Sequence, residues 1–162
     1  MRTGLMLSVA GRAEQAANQP AAAQTGRTLN AALRHLHKQA PDIFPSEDLR
    51  DYRIVNAHGG VHHKALTGRT EATRAELLDP GNLKRVDRSL RGLDTVVALG
   101  DMPDLTVRAS GFQGRVLSGG HPSLQHINRR YTSERTTPGE RAEDRRAQWA
   151  KHLLKGQPKP KP

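Results

Sequence analysis

Histidine, asparagine and carboxylate side chains recur in this chain where apolar runs give way to loops. Gly119-Gly120-His121-Pro122-Ser123 follows the run ending near Leu117, Asn56 follows Ile54-Val55, and a polar, Ala-rich stretch carrying Glu14 and Asn18 follows Val9. Imidazole is the side chain that titrates near neutral pH, and its neutral form offers one donor and one acceptor. Three polar segments that each end a strand are able to meet in one crevice. A second histidine group, His58-Gly59-Gly60-Val61-His62-His63, has side chains suited to a metal ion if a carboxylate or another His completes the shell; the alternative is exposed loop residues whose partial protonation attracts anions. With no cysteine in the chain, thiolate and disulfide chemistry are excluded, and zinc would have to be held by His and carboxylates alone.

The elements that must position these residues follow from the hydrophobic pattern. Leu5 to Val9 reads as a buried first strand that ends at Ala10-Gly11. From Arg27, Leu29, Ala32, Leu33 and Leu36 recur at helical spacing until Pro41 closes the helix. Tyr52 to Asn56 is a short β-prone segment halted by Gly59-Gly60, and Leu66 to Asp79 reads as loop or irregular helix. Asp79-Pro80-Gly81-Asn82 starts a helix that runs to about Arg91 and stops at Gly92. Asp94 to Gly100 is the clearest buried strand, a short helix follows near Pro103, Gly114 to Ser118 forms a fourth strand, and a helix begins beside Ser123. A densely charged last helix, Pro138 to Leu154, has Trp149 and Leu153 as inward anchors and is expected to dock weakly. Strand alternating with helix predicts a three-layer α/β/α fold: a central, mostly parallel four-stranded sheet with helices on both faces. In such sheets ligands bind beyond the carboxyl ends of the strands.

At 162 residues the chain has the size of one compact domain, expected over residues 1–154, and the Pro- and Lys-rich end, 155–162, reads as a disordered basic tail. Lys and Arg number 26 against 16 acidic residues, a formal charge of +10, so the surface field draws in polyanions, nucleic acid first among them. Arg12, Arg69, Arg74, Lys84, Arg85 and Arg88 suit phosphate, and suit a solvated helix face equally well. Aromatics make up only 3 % of the chain, which argues against a binding face built on many stacking rings. The apolar run at the start is too short to span a bilayer. A cytoplasmic monomer with no membrane association is expected.

His121-Pro122-Ser123, followed by Arg129-Arg130-Tyr131, resembles the His-Pro-Ser motif and downstream Arg of the uracil-DNA glycosylase superfamily. The likeness covers most of residues 3 to 131 in order. YRIVNA is similar to the family strand whose terminal Asn reads a flipped base, and Val96 to Gly100 to the core strand before the His-Pro-Ser loop. The resemblance implies a glycosylase-like fold and hydrolysis of an N-glycosidic bond in DNA, leaving an abasic site, with no cofactor or metal. It assigns His121 as the donor to the departing base and Asn56 as the base reader. Pro122, Ser123, Arg129 and Arg130 fall to the DNA backbone, and Leu124, or Gln125 beside it, to the wedge that fills the emptied stack. Extrusion is required because a stacked base hides its glycosidic bond.

The first motif departs from the family pattern. Leu7-Ser8-Val9-Ala10-Gly11-Arg12 puts Ala10 where relatives carry a side chain that positions water, while Gln24-Thr25-Gly26 again resembles the single-strand-selective branch. Asn18, two residues before Pro20, or Glu14 is left to reach the sugar, unless leaving-group stabilisation by His121 carries the catalysis. Where relatives stack an aromatic on the base, the match falls on Ala21 or Ala22, implying a wider pocket that takes uracil or a bulkier pyrimidine of the kind found in phage DNA. A non-catalytic DNA-binding relative, and more distantly a His-based metal hydrolase, are the rival readings.

Overall fold

The computed structural model describes residues 2–8, 23–59 and 72–155. Among these residues four strands, β1 (Thr3–Leu7), β2 (Arg53–Asn56), β3 (Thr95–Leu99) and β4 (Arg115–Gly119), alternate with six α-helices. In chain order these are α1 (Ala23–Gln39), α2 (Arg74–Leu78), α3 (Pro80–Leu90), α4 (Asp101–Ala109), α5 (Leu124–Arg130) and α6 (Pro138–Lys155). The strands lie in the order β2-β1-β3-β4, every neighbouring pair parallel.

The pleat divides the apolar residues between two cores. Leu5, Leu7, Val97, Leu99 and Leu117 point to one face, where they pack with Leu29, Leu33 and Leu36 of α1, Ile127 of α5, and Trp149 and Leu153 of α6. Met6, Val55, Val96 and Ala98 point to the other, against Leu77 of α2, Val86 and Leu90 of α3, and Val107 of α4. Both faces of the sheet are therefore covered, and the molecule is a three-layer α/β/α sandwich. β1 and β3 are buried along their whole length, which is why they read as continuous apolar runs rather than alternating ones.

Several boundaries move for local reasons. β1 ends at Leu7, opposite Asn56 where its partner β2 stops, and Val9, expected as its last residue, lies outside the described residues. Of the stretch expected as loop or irregular helix, residues 74–78 are a regular capped helix and 66–71 lie outside the described residues: the Thr73 hydroxyl accepts from the Glu76 N–H, and the Glu76 carboxylate accepts in turn from the Thr73 N–H at 2.9 Å. The expectation that α6 docks weakly is wrong. Trp149, Ala150 and Leu153 are all buried, and Arg145 and Gln148 bond back to Asn128 and the Thr132 carbonyl. Each large apolar side chain so buried contributes about 1.5–3 kcal/mol, and the charges that dominate the sequence of α6 lie off that stripe.

Candidate functional site

Because all four strands run the same way, their carboxyl ends share one rim. Its backbone is continuous: the Ala57 N–H donates to the Leu7 carbonyl at 2.7 Å, the His58 N–H to Ser8 at 3.1 Å, and the Gly100 N–H to Gly119 at 2.8 Å. Asn56 ends β2 at one side of the rim, and His121 stands two residues beyond β4 at the other. Three strand spacings separate those two backbones by about 14 Å. The strand order reverses between β1 and β3, so the crevice between the segments that follow them is where ligands bind in sheets of this kind.

His121 is largely removed from solvent. Burial, and after it the positive potential of the neighbouring His126, holds its imidazole below the usual histidine range. The ring makes no hydrogen bond among the described residues. A partly buried, neutral imidazole with no protein partner among the described residues is a donor available to an acceptor brought by a ligand. The side-chain amide of Asn56 is likewise unbonded among the described residues and holds both a donor and an acceptor.

Loop and helix geometry present the rest of the His-Pro-Ser segment. Pro122 is buried, and the Ser123 hydroxyl caps α5 by accepting from the His126 N–H at 3.3 Å. Ser123 thus has a structural duty besides the backbone contact the resemblance assigns, and its O–H proton still serves as a donor. Leu124, 42 % exposed, is the single exposed large hydrophobic among the described residues. Gln125, Arg129 and Arg130 are exposed around it on α5, and the hydroxyl of Tyr131, which follows them, meets His152 Nδ1 at 3.0 Å. Glu14, Asn18, Ala21 and Ala22, together with Ala10, lie outside the described residues, as do His62 and His63. Among the described residues no three His, Cys, Asp or Glu side chains gather as metal ligands.

Two features at the rim escape sequence reasoning. Arg85, which in the sequence suits a phosphate contact and a solvated helix face equally well, is half-buried. Its Nη2 donates to the Asn56 carbonyl at 2.7 Å and to Asn82 Oδ1 at 3.0 Å, while Asn82 Nδ2 donates to the Ala57 and Leu77 carbonyls, each at 2.8 Å. The pair clamps the end of β2 and so the backbone of Asn56; burial lowers the Arg85 pKa. An open groove of about 550 Å³, lined by His58, Glu76, Asp79, Asn82 and Arg85, lies beside that clamp. Second, Gly100 turns the chain sharply out of β3 with φ 118°, a conformation only glycine adopts readily, and delivers the exposed carboxylate of Asp101 to the rim at the start of α4. Asp104, one turn on, is already engaged by Arg108 and the Ser118 hydroxyl.

No helix among the described residues is long and apolar enough to cross a membrane. No family model matches the chain, and no curated protein matches it either.

Proposed function

We propose that the chain is a monofunctional DNA glycosylase of the uracil-DNA glycosylase type. It binds DNA through its net positive charge, extrudes a pyrimidine, and hydrolyses the bond between base and sugar. The observation that carries this reading is His121: a neutral, partly buried imidazole with no partner among the described residues, on the same rim as the unbonded amide of Asn56. Such a donor stabilises negative charge that develops on a base only as it leaves, which lowers the barrier without tightening the ground state.

Each remaining part has a candidate. Leu124, exposed beside the motif, fills the stack from which the base has left. Arg129 and Arg130 hold phosphates, and Arg85 keeps the backbone of Asn56 in register. Water is handled by Asn18 or Glu14, and Asp101 is a third candidate at the end of β3. The protein acts as a monomer in the cytoplasm and takes uracil or a bulkier pyrimidine.

A second reading, a DNA-binding relative that has lost catalysis, is favoured by Ala10 in the first motif. The test is release of free base from DNAs carrying uracil, thymine mismatches, hydroxymethylcytosine or glucosylated cytosine. Abasic sites from any of them support the glycosylase and name its base, whereas binding without release from all of them favours the second reading. Asp101→Asn separates the candidates for water: a release rate at least tenfold lower assigns that carboxylate, and an unchanged rate returns the role to Asn18 or Glu14.

A further inference from the structure

The chain has one tryptophan, Trp149, set in the middle of α6. Its ring is 2 % exposed, and its indole N–H donates to the Gly120 carbonyl at 2.8 Å. A buried indole needs an acceptor for its N–H; the one it has belongs to the residue immediately before His121. The Gly120 carbonyl and the His121 amide nitrogen are parts of a single planar peptide unit, so a bond that pins this oxygen fixes the plane from which the His121 α-carbon springs.

Neighbouring contacts converge on the same two residues. A Cβ at Gly119 would stand 2.6 Å from Leu153 Cδ1, and one at Gly120 would overlap the imidazole of His126. Side chains from α6 and α5 therefore approach the loop more closely than any residue but glycine permits, while the Gly119 carbonyl is held from β3 by Gly100. Without side chains of their own, Gly119 and Gly120 supply no packing that would orient His121, and the orientation comes from what grips their backbone. α6 is itself anchored: Glu143 meets His35 of α1 at 2.8 Å, and Arg145 meets Asn128 of α5 at 3.0 Å.

We propose that Trp149 is a positioning residue for His121: its N–H bond to the Gly120 carbonyl couples the last helix to the loop and fixes the imidazole at the rim. The proposal rests on the reading of His121 as donor to the departing base. A donor displaced by about 1 Å loses about a hundredfold in rate, so the bond acts on turnover rather than on DNA affinity.

The test is Trp149→Phe in the full chain, which keeps an aromatic ring in the core and removes the N–H. Single-turnover base release, the Kd for the same DNA and the ring NMR signals of His121 are measured below the melting temperature of every variant. Val86→Ala, which hollows the core on the opposite face of the sheet, is the control for lost stability. The expected result is a release rate at least tenfold lower in Trp149→Phe, a Kd within twofold of the parent, and displaced His121 signals, with Val86→Ala at the parental rate and parental His121 signals. Parental rate and signals in Trp149→Phe, or an equal loss of rate in Val86→Ala, overturn the proposal. Should the parent release no base from any DNA, it is the glycosylase reading that fails. The His121 signals then decide alone: displaced in Trp149→Phe but not in Val86→Ala, the positioning stands; unmoved, it falls.

Discussion

His121 and Asn56 are both partly buried, and neither side chain has a hydrogen-bond partner among the described residues. Burial, and secondarily His126, holds the His121 pKa down, so the folded protein keeps this ring neutral at pH values where an exposed histidine is charged. Base release is expected to stay level down to about pH 6.5, the ordinary histidine value, and to fall only below it; loss of release above pH 7 would contradict a neutral donor. The same depression has a stability consequence. Above about pH 6.5 both folded and unfolded rings are neutral, whereas below it the unfolded chain takes up the proton first, so stability declines with falling pH until the folded ring titrates as well. Urea unfolding at pH 7 and pH 5.5 should show a smaller decline in His121→Asn than in the parent. The place of both residues at strand ends was legible in the sequence, because a Gly-Gly-His-Pro-Ser loop and a strand-ending Asn are written in consecutive letters. Arg85 was not: an arginine that clamps a strand end has the same helical spacing as one that faces water, and only the fold brings the Asn56 carbonyl to it.

The helix α5 carries the exposed residues of the motif, and its geometry depends on the Ser123 cap. Ser123→Ala is expected to cost about 1 kcal/mol of stability, visible as a lower midpoint in chemical unfolding. Leu124→Ala leaves that cap intact and is expected to slow release from duplex DNA by about tenfold while sparing single strands, since only a duplex must be unstacked at a cost of a few kcal/mol. Equal losses on both substrates would remove Leu124 from the wedge role. The strands were legible from their apolar runs to within two residues. The inward anchors of α6, Trp149 and Leu153, were legible too, but the tightness of its docking was not, because its buried stripe rests on three residues, Trp149, Ala150 and Leu153, among many charges. What anchors it is an indole bond to a carbonyl 29 positions away in the sequence, and such a bond leaves no mark in periodicity.

At the scale of the whole molecule, alternation of strand and helix sufficed to indicate a parallel sheet with two covered faces. The order β2-β1-β3-β4 was not readable, because it is fixed by the path of the crossovers rather than by any one segment. That order puts the point where the strand order reverses between β1 and β3, among the strand ends of one rim. With a net charge of +10, DNA binding is expected to weaken steeply with salt, and removing Arg129 and Arg130 together should lower the slope of log K against log salt by about two. An unchanged slope would place the phosphates elsewhere. The central claim, that His121 stabilises the base as it departs, is tested most directly by single-turnover base release from a DNA that the parent cleaves, compared with His121→Ala at matched DNA occupancy. The account predicts equal binding and release slower by about a hundredfold or more; release by His121→Ala at the parental rate would contradict it.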